Sequence, residues 1–382
     1  MIHLLAVAHA ETRDAAEHAE LARHAAFRSG MEAIVGDLNA GSFRAFLAAI
    51  DKADMLDRIY GLRLIDPKVK KSFAESYEYS LESLIKSGFD APDSGMRATL
   101  LGVESRNDRG RAVVRFDEDK FTFRYHEYEL RLNEAGRVVI VDWIDFLSSD
   151  RFSESVGVYL VMGAPSRSAM RKLIDIPNPT DREMFQFAEL LKAVRDRSLD
   201  RYLKIRDDMS ARFQRQKIVV VTTAQLARAT RQRRKMIAAV GILANAYPDE
   251  PLYSLMLLDY YFPSRKYEEA MQALQLLSKR LGVEDAAMDA RFSATALVLG
   301  NPEEAVAYAE KATKREPGLE LAWWSSLQAR AELADFAAAI EALKTLQNEF
   351  GYDLGPEFLQ RDKSYAQLLA SSDYKQWRES LK

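Results

Sequence analysis

The stretch PEEAVAYAEKATKREP, residues 302–317, decides the reading of the C-terminal half of the chain. Pro302 stands where a helix can begin, Ala305, Ala309 and Ala312 follow at helical spacing, and Pro317 marks the exit. Ala305 has counterparts in Ala270 of YEEA (267–270) and Ala339 of FAAA (336–339), 35 and 34 residues away. Each alanine opens a helical run that follows another helical run. A period of that length is the signature of stacked helix pairs, which bury a continuous core only by stacking on their neighbours.

Working outward from these anchors, the preceding helices fall at 252–262, 285–299 and 321–333. The following helices fall at 267–281, 302–314 and 336–350. Ala305, Ala309, Ala312 and Pro317 match the spacing A-x3-[F/A]-x2-A-x4-P, Trp323 opens the third unit, and Tyr261 occupies the tyrosine position of the first. The chain therefore resembles a tetratricopeptide repeat protein over residues 252–350. It departs from that pattern where a small residue lets the paired helices close up: Leu258, Ser293 and Leu327 stand there, so the repeats are divergent. Other helix-pair solenoids fit the same period. Weaker copies extend backwards, through a run from Ala229 ending at Tyr247-Pro248 and a pair at 181–195 and 199–216. Residues 358–381, with Tyr365, Leu368, Leu369, Tyr374 and Trp377, read as the C-terminal cap.

The resemblance implies a concave face lined by the first helix of each unit. Its residues are Leu252, Leu255, Asp259, Ala287, Ala290, Ala294, Leu321, Trp324 and Gln328. A clamp for a peptide carboxylate needs Lys, Arg and Asn there, and this set has none. The expected partner is a protein or peptide with an apolar surface, held as a helix or extended strand. The competing reading is that this face packs against the chain's own first domain or its cap.

The N-terminal part has another character. Asp66-Pro67 starts a helix whose residues Phe73, Tyr77, Leu81, Leu84 and Ile85 form an apolar stripe ending at Ser87-Gly88. A shorter amphipathic helix is expected at 42–50. Residues 97–104, 111–116, 121–132 and 137–147 read as four strands rich in Val, Phe, Tyr and Ile, joined by short polar turns at 107–110, 117–119 and 133–136. Helices followed by an antiparallel meander make an α+β layer with the long helix across one sheet face. That element order resembles the NTF2-like and cystatin-like folds over about residues 31–165. The chain then divides into an N-terminal helix or truncated export signal (1–30), the α+β domain (31–165) and an all-α helix-pair array with its cap (166–382). Thr180 and Glu183 after the 176–180 linker form a capping box, and the valine run at 218–221 reads as buried helix rather than strand.

Composition narrows the function classes. A net charge of −3 with pI near 6.1 argues against whole-chain affinity for nucleic acid or anionic membrane. The absence of cysteine removes disulfides, thiol catalysis and thiolate metal sites. No apolar run reaches the roughly 18–20 residues of a membrane span. Ile2–Ala10 is apolar and ends in an A-x-A pattern, which fits either an export signal beginning upstream or the first turns of a helix reaching about Phe27. The expected location is cytoplasmic or periplasmic. His3, His9, His18 and His24 are spaced 6, 9 and 6 apart, so no two share a helix face as metal ligands would.

Two clusters carry candidate chemistry. In the strands, Tyr125, His126, Tyr128, Asp142 and Trp143 offer a pocket, with His126 or Asp142 as general base. Strand alternation separates His126 and Tyr128 from Tyr125 and Glu127, and Asp142 from Asp145, so no paired-carboxylate site forms. Between Met209 and Pro248 there is no acid. That stretch holds Arg212, Arg215 and Lys217, then a candidate anion patch of Arg228, Arg231, Arg233, Arg234 and Lys235. Phe213 is the one aromatic nearby, which argues against base stacking and RNA. Helix-face arginines answering Glu268, Glu269, Glu303 or Glu304 are the plainer alternative. No phosphate loop, HExxH, G-x-S-x-G or EF-hand spacing occurs, so no cofactor or metal is expected. The sequence favours a non-enzymatic interaction scaffold over a ligand-binding or catalytic sheet pocket with the repeats as adaptor.

Overall fold

In a computed structural model, which describes residues 2–61, 65–88, 96–118, 120, 122–163, 167–174, 176–230 and 232–380, the chain forms two units by contact. The first is Met1–Asp119 with Phe123–Pro248, and the second is Lys120–Thr122 with Asp249–Lys382.

The first unit is built on a five-stranded antiparallel meander: β1 (Arg97–Arg106), β2 (Arg109–Asp117), β3 (Phe123–Leu132), β4 (Val138–Asp145) and β5 (Asp150–Arg151), in that spatial order. Four strands are expected from sequence; the two-residue β5 is the fifth. It pairs Ile144 with Arg151 and is too short to leave a periodic signal. The first turn is tighter than expected, with Arg106 pairing Arg109 and Asn107 at φ 57° in the left-handed region. Bulges fall between Leu100 and Gly102 and between Glu129 and Leu130.

The helix across the sheet is α1 (Ile2–Asn39), which runs well past the expected end near Phe27 and continues through residue 30. Its buried residues Phe27, Met31, Ile34, Val35 and Leu38 recur at helical spacing and face the sheet core. Two glycines make the approach possible. A Cβ on Gly110 of β2 would lie 2.8 Å from the Phe27 ring, and one on Gly30 would overlap Val138 of β4. The Ala8-His9-Ala10 pattern lies among residues whose side chains are outside the described set.

Short helices α2 (Arg44–Ala49) and α3 (Lys52–Gly61) follow. The helix expected from Asp66 to Gly88 is broken at Ser76 into α4 (Pro67–Glu75) and α5 (Tyr77–Gly88). Ser76 Oγ donates to the Ser72 carbonyl at 3.1 Å beside the Ser76 amide at 3.2 Å, a back-bond of the kind that bends helices. The stripe survives the break: Phe73, Tyr77, Leu81 and Ile85 are all buried in the α1–sheet core. Asp66 caps α4 by accepting from the Lys68 amide, as its sequence position predicts.

After β5 come α6 (Phe152–Gly163), α7 (Arg167–Leu173), α8 (Asp181–Arg195), α9 (Leu199–Asp207), α10 (Ala211–Gln214), α11 (Lys217–Ala229) and α12 (Arg233–Ala246). They group with the sheet, whereas the expected domain boundary lay near residue 165. The capping box of Thr180 and Glu183 is present. Glu183 also takes Arg212 Nε at 2.8 Å and Ser210 Oγ at 2.8 Å, and the arginine holds its carboxyl well below the usual range. The valine run lies in α11, with Val219, Val220 and Val221 buried. The helix expected over 199–216 is two, α9 and α10.

The second unit is a solenoid of helix pairs: α13 (Ser254–Tyr261) with α14 (Tyr267–Leu281), α15 (Ala286–Val298) with α16 (Pro302–Arg315), and α17 (Glu320–Glu332) with α18 (Phe336–Asn348). A 3-10 turn at Pro251–Tyr253 precedes α13. The cap consists of α19 (Pro356–Leu359), a 3-10 turn at Lys363–Tyr365, α20 (Ala366–Ala370) and α21 (Ser372–Ser380). Leu359, Tyr365, Leu368, Tyr374 and Trp377 join the core of α17 and α18.

Candidate functional site

The anchor alanines position the array. Ala270, Ala305 and Ala339 are each fully buried. Ala305 meets Ala296 of α15 and Ala329 of α17 in one small cluster, and Ala286, Ala290, Ala312 and Ala322 make a second. Two alanine contacts between three helices bring backbones close. Ser325 Oγ of α17 reaches the Ala290 carbonyl of α15 at 3.3 Å as well as its own Leu321 carbonyl at 2.9 Å. Consequently α15 packs along α17, while α13 has no contact of that extent with α15. The divergence at Leu258 falls on the helix that stacks less.

Of the nine expected groove residues, Ala287 and Ala290 are fully buried, and Ala290 belongs to the alanine packing between helices. Leu252, Leu255, Asp259, Ala294, Leu321, Trp324 and Gln328 keep partial exposure. Arg330 at the end of α17 pairs with Glu310 and Asp335, both at 2.7 Å, so its charge is already answered.

At α17 the face carries residues that the repeat pattern does not place there. Trp324 has Tyr352 edge-on at 5.1 Å and Phe358 tilted at 6.0 Å between ring centroids. Glu320 Oε1 accepts from Trp324 Nε1 at 3.3 Å and from the Tyr352 hydroxyl. Gln328 hydrogen-bonds the Tyr365 side chain, whose pKa burial pushes up to about 12. Tyr352 and Phe358 come from the segment after α18, which turns at Gly351 with φ 72° and runs without helix or strand to Pro356. The sequence signal was there in two glycines flanking an aromatic, but no local periodicity ties that segment back to Trp324.

The sheet cluster is a packed interior. Tyr125, His126, Tyr128, Asp142 and Trp143 are each no more than 4% exposed. His126 Nδ1 lies 3.0 Å from the Tyr128 hydroxyl, and its ring is 4.6 Å from that of Phe116. Burial depresses the His126 pKa to about 3, against a smaller opposing pull from Asp145. Trp143 stacks on Phe152 at 4.0 Å and meets the edge of Phe46. Asp142 holds α6 by accepting from Ser153 Oγ at 2.7 Å and the Ser153 amide at 3.2 Å. Beside it, Arg58 and Arg151 both bond Glu129, at 3.1 and 3.2 Å. A general base must reach a substrate, and these groups reach one another.

The basic residues are dispersed. Lys235 pairs with Asp200, Arg212 with Glu183, and Arg228 donates to the Leu147 carbonyl at 3.4 Å. Lys235 and Arg212 thus meet the acids Asp200 and Glu183. Arg233 and Arg234 are exposed at the start of α12, and Arg231 lies outside the described residues. Among the described residues no group of three or more His, Asp or Glu side chains could hold a metal ion, and no helix is long and apolar enough to cross a membrane.

No protein-family model and no curated protein matches the chain. Among solved structures, one described as "Crystal structure of MamA protein" is similar over 46% of this chain and 98% of its own, at 14% identity and a TM-score of 0.33. A likeness that low carries no functional argument.

Proposed function

We propose that the chain is a non-enzymatic protein-interaction scaffold whose binding element is the helix-pair array. The observation that carries this reading is the partial exposure of Leu255 on α13, Ala294 on α15, and Leu321 and Trp324 on α17, while the alanines of α15 and α17 that pack between helices are buried. Such a surface suits an apolar helix or extended peptide, and the resemblance to tetratricopeptide repeats supports it. The burial of His126 against Tyr128 and Phe116 supports this reading over an open small-ligand pocket.

The test uses the full chain with a photo-crosslinking phenylalanine at Leu255 or, separately, at Leu321. Both positions should capture the same partner in cells, and Leu255→Glu should abolish the crosslink from position 321. Different or absent partners at the two positions would sink the reading.

A further inference from the structure

We propose that the Trp324–Glu320 face of α17 is a capture site for a peptide presenting a tyrosine and, six residues on, a second aromatic ring. The chain's own segment 349–360 occupies it as a built-in pseudo-ligand. This rests on the scaffold reading and names the partner's chemistry.

Three observations carry it. Tyr352 and Phe358, six residues apart, both lay their rings against Trp324, at 5.1 and 6.0 Å, and lie 6.5 Å from each other. Their backbone between Gly351 and Gly355 has no helical or strand pairing, so the rings rather than a ladder define the contact. Neighbouring residues divide the work. Leu354 and Leu359 are buried in the core beneath, whereas Phe358 stays 38% exposed and Trp324 is only partly covered. A competing peptide therefore has to displace two rings, not the anchors.

The polar contact sets selectivity. Glu320 Oε1 accepts from the indole N–H and the phenol O–H, while Lys120 Nζ pairs with Glu320 Oε2 at 3.1 Å and donates to the phenol oxygen at 3.0 Å. A carboxylate rewards a donor, so tyrosine is preferred to phenylalanine at the first position.

The probe is a fluorescent peptide, EFGYDLGPEFLQ, copied from residues 349–360 and added to the full chain. Against the Tyr352→Ser/Phe358→Ser variant, anisotropy should show binding at least tenfold tighter than to the parent. Adding Trp324→Leu should abolish it. Replacing the peptide's tyrosine by phenylalanine should weaken it severalfold. Equal or absent binding to the parent and the double variant, with the variant's helical signal retained, would overturn the proposal.

Should the double variant not fold, hydrogen exchange on the parent decides. The Gly351 and Tyr352 amides, which donate to the Gln347 and Leu346 carbonyls, should exchange far faster than those of α17 through local opening; exchange only with global unfolding would make the segment a permanent cap and end the idea. The two readings fail separately. Loss of the common crosslink at Leu255 and Leu321 removes the scaffold reading, and loss of peptide binding removes only this site.

Discussion

Asp142 and Ser153 are joined twice: the carboxylate takes the serine hydroxyl at 2.7 Å and its backbone amide at 3.2 Å. The residue that strand chemistry offers as a general base is thereby the N-terminal anchor of α6. Its side chain is 1% exposed, with Arg58 and Arg151 at 4.0 and 3.9 Å. A carboxylate near a helix N-terminus satisfies amides that have no partner within the helix.

Asp142→Ala should destabilise the first unit by about 2–4 kcal/mol, because it strands buried donors and leaves the nearby guanidinium charge less compensated. Asp142→Asn keeps an acceptor and should cost roughly half as much. Ser153→Ala should cost about 1 kcal/mol, and its effect should shrink in the Asp142→Ala background. Urea unfolding of the parent and the four variants measures this. Additive effects would show that the pair is not coupled.

Gly30→Ala tests how α1 sits on the sheet. In an exposed helix interior that change stabilises by roughly 0.5–1 kcal/mol. Here the new methyl would overlap Val138 Cγ2 and lie 2.8 Å from its Cβ, on a β-branched side chain with little freedom to turn. The sign should invert, to a loss of about 1–3 kcal/mol. Val138→Ala in the same chain should recover most of the loss. Thermal melts that show Gly30→Ala stabilising would mean that α1 does not lie on β4.

What the sequence disclosed follows from the range of each interaction. The Asp66 cap, the Thr180–Glu183 box and the Phe73–Ile85 stripe are local patterns, and they are present. The meander was legible because alternating strands were joined by short turns, and the solenoid because a fixed period repeated. The break at Ser76 was not: a single hydroxyl reaching back to Ser72 leaves the apolar spacing intact. Nor was the extent of α1 over the sheet, since Gly30 and Gly110 matter only once Val138 and Phe27 face them.

The candidate sites were less legible for the same reason. Residue type alone singles out His126 and Asp142, but burial against Phe116 and Tyr128, and the bond to Ser153, are set by the fold. The repeat resemblance puts Ala290 on the groove, whereas in the structure it lies in the alanine cluster between helices. Tyr352 and Phe358 lay outside the repeat pattern altogether.

The buried imidazole gives a pH dependence with a definite sign. His126 has its pKa lowered from 6.5 to about 3 by burial, so the folded state keeps it neutral where the unfolded chain would protonate it. Stability from this group is fully present above about pH 6.5, falls as the pH drops, and stops falling below about pH 3. His126→Gln should therefore flatten the stability profile between pH 6.5 and 4 by up to one proton's slope. The ring resonances of His126 should not titrate between pH 8 and 4. A midpoint near 6.5 would show that the ring is solvated rather than packed.

The alanine anchors make the sharpest test of the array. Ala305 is fully buried where α15, α16 and α17 meet at Ala296 and Ala329, and Ala307, two residues on, is exposed. Ala305→Leu adds three heavy atoms to a contact made of methyl groups, so it should cost about 1–3 kcal/mol or more by overpacking. Ala307→Leu should stay within about 0.5 kcal/mol, because leucine is nearly as good a helix former and meets solvent. The crosslink between position 321 and its partner should fall with Ala305→Leu, since α17 can no longer sit along α15, and should persist with Ala307→Leu. If both variants melt alike, the 34–35-residue period does not mark the helix contacts, and the stacked-pair geometry at α15–α17 is wrong.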